Sequence, residues 1–378
     1  MDPRGGGPAE GVRQFALASR DWGQSTTVVT VDRPGEPYCD GNPFTVVALG
    51  PGVSGYRYSP RLVPWLRGHA RAFDAVIVNG LWQYCGFAVR RALQGTGVPY
   101  FVFPHGMLDP YFKRAYPRKH LKKSLYWRLG EYRVLRDARA VFFTCEEEMH
   151  LARGTFAPYR CSEVVAGFGT AAPPVDAATA TGAFHAAFPQ LKGRRLLLFL
   201  GRIHEKKGCD FLIRALGSHI ARDGSWQLVM AGPVDAAYGA SLRALAGEMG
   251  VGDRITWTGM LAGDQKWGAL YCAEAFILPS HQENFGIAVT EALACGTPVL
   301  ISDQVNIWRE IAHDGAGLVK TDTLHGTHEL LRLWSELDDP ARREMRARAR
   351  SCFETRFDIR SASRRLVDTV GRLLASPA

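Results

Sequence analysis

Two carboxylates eight positions apart, Glu283 and Glu291, lie in the segment SHQENFGIAVTEALACGTPVLIS at residues 280–302. Ahead of it, YCAEAFILPS is apolar up to Pro279 and reads as a buried strand. Behind it, Gly296-Thr297-Pro298 stops a helix before TPVLIS opens another strand. The spacing predicts a helix starting near Phe285-Gly286, with its free N–H groups and positive dipole end at the mouth of a parallel sheet, a place that suits phosphate. Glu283 then falls in the loop before the helix, and Glu291 more than a turn along it. Carboxylates repel phosphate, so beside an anion site they serve as acceptors for hydroxyl groups, such as those of a sugar and a ribose.

Upstream, residues 196–216 read LLLFLGRIHEKKGCDFLIRAL. Five apolar residues form a short strand, Gly201 ends it, and Arg202, Lys206 and Lys207 precede Gly208 and an amphipathic helix. Arg202 can fork onto two phosphate oxygens and Lys207 can add a point charge, together replacing a divalent metal. No dense Asp or His cluster of metal-ligand type stands nearby. A solvated basic turn would have the same composition, but the two-glutamate segment in the same half of the chain favours the phosphate reading.

These side chains need sheets to hold them, and the chain alternates strands and helices throughout. Strands are expected in STTVVTV (25–31), FDAVIVNG (73–80), PYFVFPHG (99–106), ARAVFFTC (138–145) and CSEVVAGFG. A second series follows in RRLLLFLG, WQLVMAGP, RITWTGM, AEAFILPS, TPVLIS and AGLVK. The stretch 171–193, rich in Ala, Pro and Thr at its start, reads as a linker between domains at 1–170 and 194–355. A length of 378 residues with 46% hydrophobic residues and 40 glycines fits two α/β domains. His105, after FVFP, should emerge at the carboxyl edge of the first sheet. A lone histidine there is often structural.

The motifs G-R-x5-K-G (Gly201, Arg202, Lys207, Gly208) and E-x-F-G-x4-E-A (Glu283, Phe285, Gly286, Glu291, Ala292) resemble those of the retaining glycosyltransferases of family 4. GGGPAEG, GLWQY, FPHGMLDPYF and KHLKKSLYW extend the likeness to a bacterial branch acting in polysaccharide assembly, so it covers nearly the whole chain. The resemblance implies the GT-B architecture: two facing Rossmann-like domains with parallel sheets and a cleft between them, and a last helix, 356–378, that crosses back to the first domain. It implies transfer of a sugar from a nucleotide-diphosphate donor, of UDP or GDP type, to a glycan or lipid-linked acceptor, with retention of configuration and no metal or other cofactor. Arg202, Lys207, His105 and Glu283 would then serve catalysis. Gly6, Gly7, Gly201, Phe285, Gly286, Ile287 and Glu291 would serve the donor, with Trp82, Gln83 and Asp109 on the acceptor side. One departure is evident: the chain goes directly to GGGPAEG, without the apolar first strand such a domain begins with. A nucleotide-sugar epimerase of the same fold would use the same donor pocket without an acceptor, and a noncatalytic sugar-nucleotide-binding protein would keep the fold and the basic surface while losing the phosphate clamp.

The formal net charge of +9 is uneven. Residues 111–139 hold ten Lys or Arg against Glu131 and Asp137, interleaved with Tyr111, Phe112, Tyr116, Tyr126 and Trp127. Basic residues mixed with interfacial aromatics suit a helix lying on an anionic membrane, whereas a cationic helix with its aromatics in the core has the same sequence. No recognised nucleic-acid module accompanies the charge, so no nucleic acid is expected. Eight scattered cysteines without a C-x-x-C pair, no signal segment and no run of 18 apolar residues predict a cytoplasmic protein, peripheral at most to the inner face of the membrane.

Overall fold

A computed structural model describes residues 7–218 and 226–376. They fall into two compact units, Met1–Gly169 with Ile359–Ala378, and Thr170–Asp358.

The amino-terminal unit contains β1 (Thr27–Thr30), β2 (Thr45–Ala48), β3 (Val76–Asn79), β4 (Tyr100–Phe103), β5 (Ala140–Phe143) and β6 (Glu163–Val165). All pairings are parallel, but they make two sheets: β1-β2, and β3-β4-β5-β6. The YFVF and AVFF strands are buried along their whole length, as strands covered on both faces must be. Their side chains alternate between two cores. Tyr100, Val102, Val141 and Phe143 point to one, while Phe101, Phe103, Ala140 and Phe142 point to the other. The helix Ile359–Ala375 covers the second core with Leu366, and Arg139 donates to the Leu373 carbonyl at 2.9 Å. The helix Gly7–Ala18 starts at the first described residue; Gly6 lies outside the described residues. β2 was not legible in the sequence, because TVVA is a four-residue run behind a stretch dominated by Gly, Pro, Asp and Asn.

The second unit contains β7 (Arg195–Leu200), β8 (Trp226–Ala231), β9 (Ile255–Gly259), β10 (Ala275–Leu278), β11 (Val299–Ser302) and β12 (Gly317–Lys320). They form one parallel sheet in the order β12-β11-β10-β7-β8-β9. The chain runs outward from β7 through β9, then returns to lay β10 on the other side of β7. This doubly wound order puts its topological switch point between β7 and β10, where the crevice outside the carboxyl ends of the strands binds ligands.

The expected linker is corrected in part. Residues Ala177–Ala187 form a helix, N-capped by Asp176, which accepts from Thr179 N–H at 3.0 Å. Ala180 and Phe184 are fully buried. Against this helix lies Gly263–Cys272, where Gly268 permits the approach: a Cβ there would sit 2.1 Å from the Ala180 carbonyl oxygen. Alanine is the best helix former and aspartate a strong cap, so an Ala/Thr-rich segment reads as a spacer only while its packing partner is unseen.

Candidate functional site

The loop leaving β7 and the loop leaving β10 meet at the switch point and are tied together through their main chains. His281 N–H donates to the Lys206 carbonyl at 2.9 Å, and Ser280 Oγ reaches the same oxygen at 3.1 Å. Gly208 makes the approach possible: its φ is +65°, and a Cβ would lie 2.1 Å from the Pro279 carbonyl oxygen. Glu283 is clamped in turn, its N–H donating to Gln304 and its carbonyl accepting from Asn306 N–H, both at 2.9 Å. Lys207 Nζ forms an ion pair with the Glu283 carboxylate across the two loops. Burial, with Lys206 and Arg202 alongside, brings the Lys207 ammonium down to about 8, while its contact with Glu283 acts in the opposite direction. Arg202 stands exposed beside it, with no ion pair among the described residues. This arrangement can offer one unpaired guanidinium and one half-buried ammonium, the latter already held by Glu283, to a single anion.

Gly286, at φ +73°, caps the helix Ile287–Ala294, one residue later than the sequence suggests. Phe285 is buried edge-on against Phe357, so its side chain is taken up by packing and leaves its backbone as the part that could serve a ligand at the helix start. Further along, Glu291 accepts from Lys266 Nζ at 2.7 Å, and that ammonium also lies 4.2 Å from the Trp267 ring centroid. Lys266 escaped the sequence reading because it is 25 residues away from Glu291. Its only signal was a cation in the first turns of the helix after the Gly259–Gly263 loop.

The amino-terminal unit holds the other expected residues. His105, after β4, has φ +51°, and Trp82, after β3, has φ +71°. Such values are uncommon for bulky non-glycine residues and recur where loops are held for function. His105 Nε2 lies 2.9 Å from Asn79 Oδ1, and its ring stacks on Phe103. Burial lowers its pKa to about 4, so the imidazole is neutral near pH 7.

Two buried carboxylates that the sequence reading did not single out hold these loops. Glu148, 3% exposed, accepts from Gly106 N–H at 2.5 Å, Thr144 N–H at 2.8 Å and Thr144 Oγ1 at 2.6 Å, tying the loop after β4 to the loop after β5. Glu131, 1% exposed, accepts from Trp82 N–H at 3.1 Å, and burial pushes its carboxyl up to about 7. Nothing in EEEMH or LGEYR distinguishes these glutamates from surface ones. Gln83 is exposed at the N-cap of the helix Tyr84–Leu93. Asp109 is buried, and its Oδ1 accepts from Tyr111 N–H at 2.7 Å, so one carboxylate oxygen holds a turn. Among the described residues, no group of three or more His, Cys, Asp or Glu is arranged to hold a metal ion.

The comparisons agree along the chain. Residues 6–166 match the profile of the glycosyl transferase 4-like domain, and residues 183–351 match that of the glycosyl transferases group 1. A GDP-mannose:cellobiosyl-diphosphopolyprenol α-mannosyltransferase from Xanthomonas campestris is 27% identical over 330 residues, 85% of this chain and 81% of that protein. Among solved structures, sucrose-phosphate synthase from Thermosynechococcus elongatus superposes with a TM-score of 0.74 at 21% identity, covering 98% of this chain and 94% of the other. Anabaena HepE, solved with UDP, superposes with a TM-score of 0.76 at 16% identity, covering 98% and 97%.

Proposed function

The chain belongs to the family 4 type of glycosyltransferases and has the GT-B fold, and from that premise we propose that it moves a hexose from a nucleotide-diphosphate sugar to a lipid-linked glycan acceptor, with retention and without a metal. The observation that carries this reading is the switch-point clamp, in which Lys207 and Arg202 offer positive charge and Glu283 is fixed beside them.

When the bond between the anomeric carbon and the diphosphate breaks, the sugar becomes cationic and the leaving phosphate gains negative charge. Arg202 and Lys207 stabilise that charge without reorganising, which lowers the barrier. The backbone of Gly201, Phe285, Gly286 and Ile287 faces the diphosphate, and Glu291, oriented by Lys266, accepts from ribose hydroxyls. Glu283 accepts from sugar hydroxyls and keeps Lys207 charged; it is not a covalent nucleophile. His105, neutral, offers a hydrogen bond to the transferred sugar, and Trp82 and Gln83 flank the acceptor. Same-face attack, with the departing phosphate taking the acceptor's proton, gives retention. A polysaccharide-assembly role at the inner face of a membrane is supported by the diphosphopolyprenol acceptor in the name of the Xanthomonas relative.

The test is nucleotide diphosphate release from GDP-mannose and from UDP-glucose, with and without a polyprenyl-diphosphate-linked glycan and in the presence of EDTA. Acceptor-dependent release that survives EDTA, and a product whose anomeric proton coupling matches the donor's, are expected. Epimer formation without acceptor would favour the epimerase reading instead.

A further inference from the structure

The loop leaving β2 folds into a small hairpin that has none of the roles assigned so far. Val53 and Tyr58 exchange both main-chain hydrogen bonds, at 2.8 and 3.0 Å, so their side chains stand next to each other on one face. The turn between them is fixed from within. Arg57 N–H donates to the Ser54 carbonyl at 3.1 Å and Tyr56 N–H to Ser54 Oγ at 3.2 Å, while Ser54 and Arg57 both hold positive φ, +60° and +58°. Two further ties brace it: Arg57 pairs with buried Asp32 at 2.8 Å, and Ser59 Oγ donates to the Leu49 carbonyl at 2.6 Å. Non-glycine residues in the left-handed region carry a conformational cost. Here that cost supports an apolar pair left in solvent, with Val53 62% and Tyr58 44% exposed.

Tyr58 is nevertheless held in place. Its ring lies on that of Tyr84 with centroids 4.7 Å apart, Tyr56 meets Tyr84 edge-on at 5.8 Å, and the Tyr56 hydroxyl is 2.7 Å from that of Tyr126. The hairpin is also joined to the loop after β3, since Tyr84 N–H donates to the Tyr56 carbonyl at 2.8 Å and Tyr84 follows directly on Trp82 and exposed Gln83. Outward from His105, the connections run to Asn79 at the end of β3, along the chain through Trp82 and Gln83 to Tyr84, and from Tyr84 to Tyr58.

A preset aromatic ring beside an aliphatic side chain, on a hairpin that also brings a guanidinium and adjoins a planar amide, suits a pyranose. The C–H face of the sugar packs on the ring. Its vicinal hydroxyls pair with Gln83 and with the N–H groups that Arg57 does not give to Asp32. A protein partner would bury about 800 Å² on each side and a bilayer would need a longer apolar row, whereas two neighbouring side chains match one sugar ring.

We propose that Val53 and Tyr58 form a sugar-binding subsite, in which a pyranose of the acceptor glycan, farther from the new bond than the sugar being extended, stacks on Tyr58. Which sugar of the glycan occupies it rests on the proposed function, whereas binding of a sugar there does not.

The experiment is saturation-transfer NMR on the full chain without nucleotide sugar, with cellobiose, maltose and an α-linked mannobiose as probes. Saturation should reach the ring C–H protons of at least one of them. Tyr58→Ala should weaken that signal by about threefold to tenfold, Tyr58→Phe should keep it, and Val53→Ser should weaken it less while leaving the melting temperature unchanged. In the transfer assay, Tyr58→Ala should raise KM for a disaccharide-linked acceptor and leave kcat, and KM for a monosaccharide-linked acceptor, as they are. No saturation of any probe, or equal saturation in Tyr58→Ala, overturns the proposal. So does an oligomer that Val53→Ser dissociates in light scattering, since the pair would then be a protein contact, and an equal rise in KM for both acceptors removes the assigned place along the glycan. The NMR measurement involves no transfer, so Tyr58-dependent sugar binding by a protein without transferase activity would sink the proposed function and not the subsite.

Discussion

In the second unit the loops after β7 and β10 are tied by main-chain hydrogen bonds at the centre of one six-stranded sheet, whereas the amino-terminal unit fixes the loops after β3, β4 and β5 through the side chains of Glu131 and Glu148. A main-chain tie is indifferent to pH and leaves Arg202 and Lys207 available to a ligand. A side-chain tie withdraws a carboxylate from chemistry and, at Glu131, makes loop geometry depend on protonation. The same family of loops is thus built for charge in one unit and for shape in the other.

That contrast can be broken at several points. Arg202→Ala should lower kcat by about a hundredfold or more, roughly 3 kcal/mol of transition-state stabilisation, with little change in melting temperature. Glu148→Ala should do the opposite. It strands three buried donors and should lower stability by about 2–3 kcal/mol in denaturant titration while leaving nucleotide affinity unchanged. Glu291→Ala should weaken nucleotide diphosphate binding by about tenfold, read by calorimetry, with a smaller effect on turnover. Because burial beside Lys206 and Arg202 brings Lys207 down to about 8, its charge weakens as pH rises past that value, later to the extent that Glu283 holds it, so kcat/KM should fall at alkaline pH and Glu283→Gln should move that fall to lower pH. Glu131→Gln should give the smallest change. A carboxyl raised to about 7 disfavours the folded state progressively as pH climbs from its unfolded value to 7, so the variant should melt about 2–4 °C above the unaltered chain at pH 8 and level with it near pH 4. Equal loss of turnover from Arg202→Ala and Glu148→Ala would erase the distinction between the units.

The sequence carried the second unit well, because its strands are continuous apolar runs ended by Gly201, Pro279 or Ser302, and its charged residues lie within a few positions of those ends. The strands of the amino-terminal unit were equally plain except β2, but its supports were not. Glu148 sits 42 residues from Gly106, and Glu131 sits 49 from Trp82, so no local pattern joins them. Lys266 was hidden in the same way. The basic block shows a different limit, since residue type left its aromatics equally fit for a membrane or for the core, and the structure buries Trp127 while leaving Leu121, Leu125 and Leu129 exposed.

The helix Ile359–Ala375 belongs to the unit the chain began, so residues 170–358 are, in topology, an insertion. During synthesis the inserted unit can close its sheet as soon as β12 has left the ribosome. The earlier one waits, with the Phe101, Phe103 and Phe142 face only partly covered by Phe15 and its neighbours, until Leu366 emerges. The half translated first is then the half completed last, and a nascent chain stalled before residue 359 would present a finished second unit joined to one still open to chaperones.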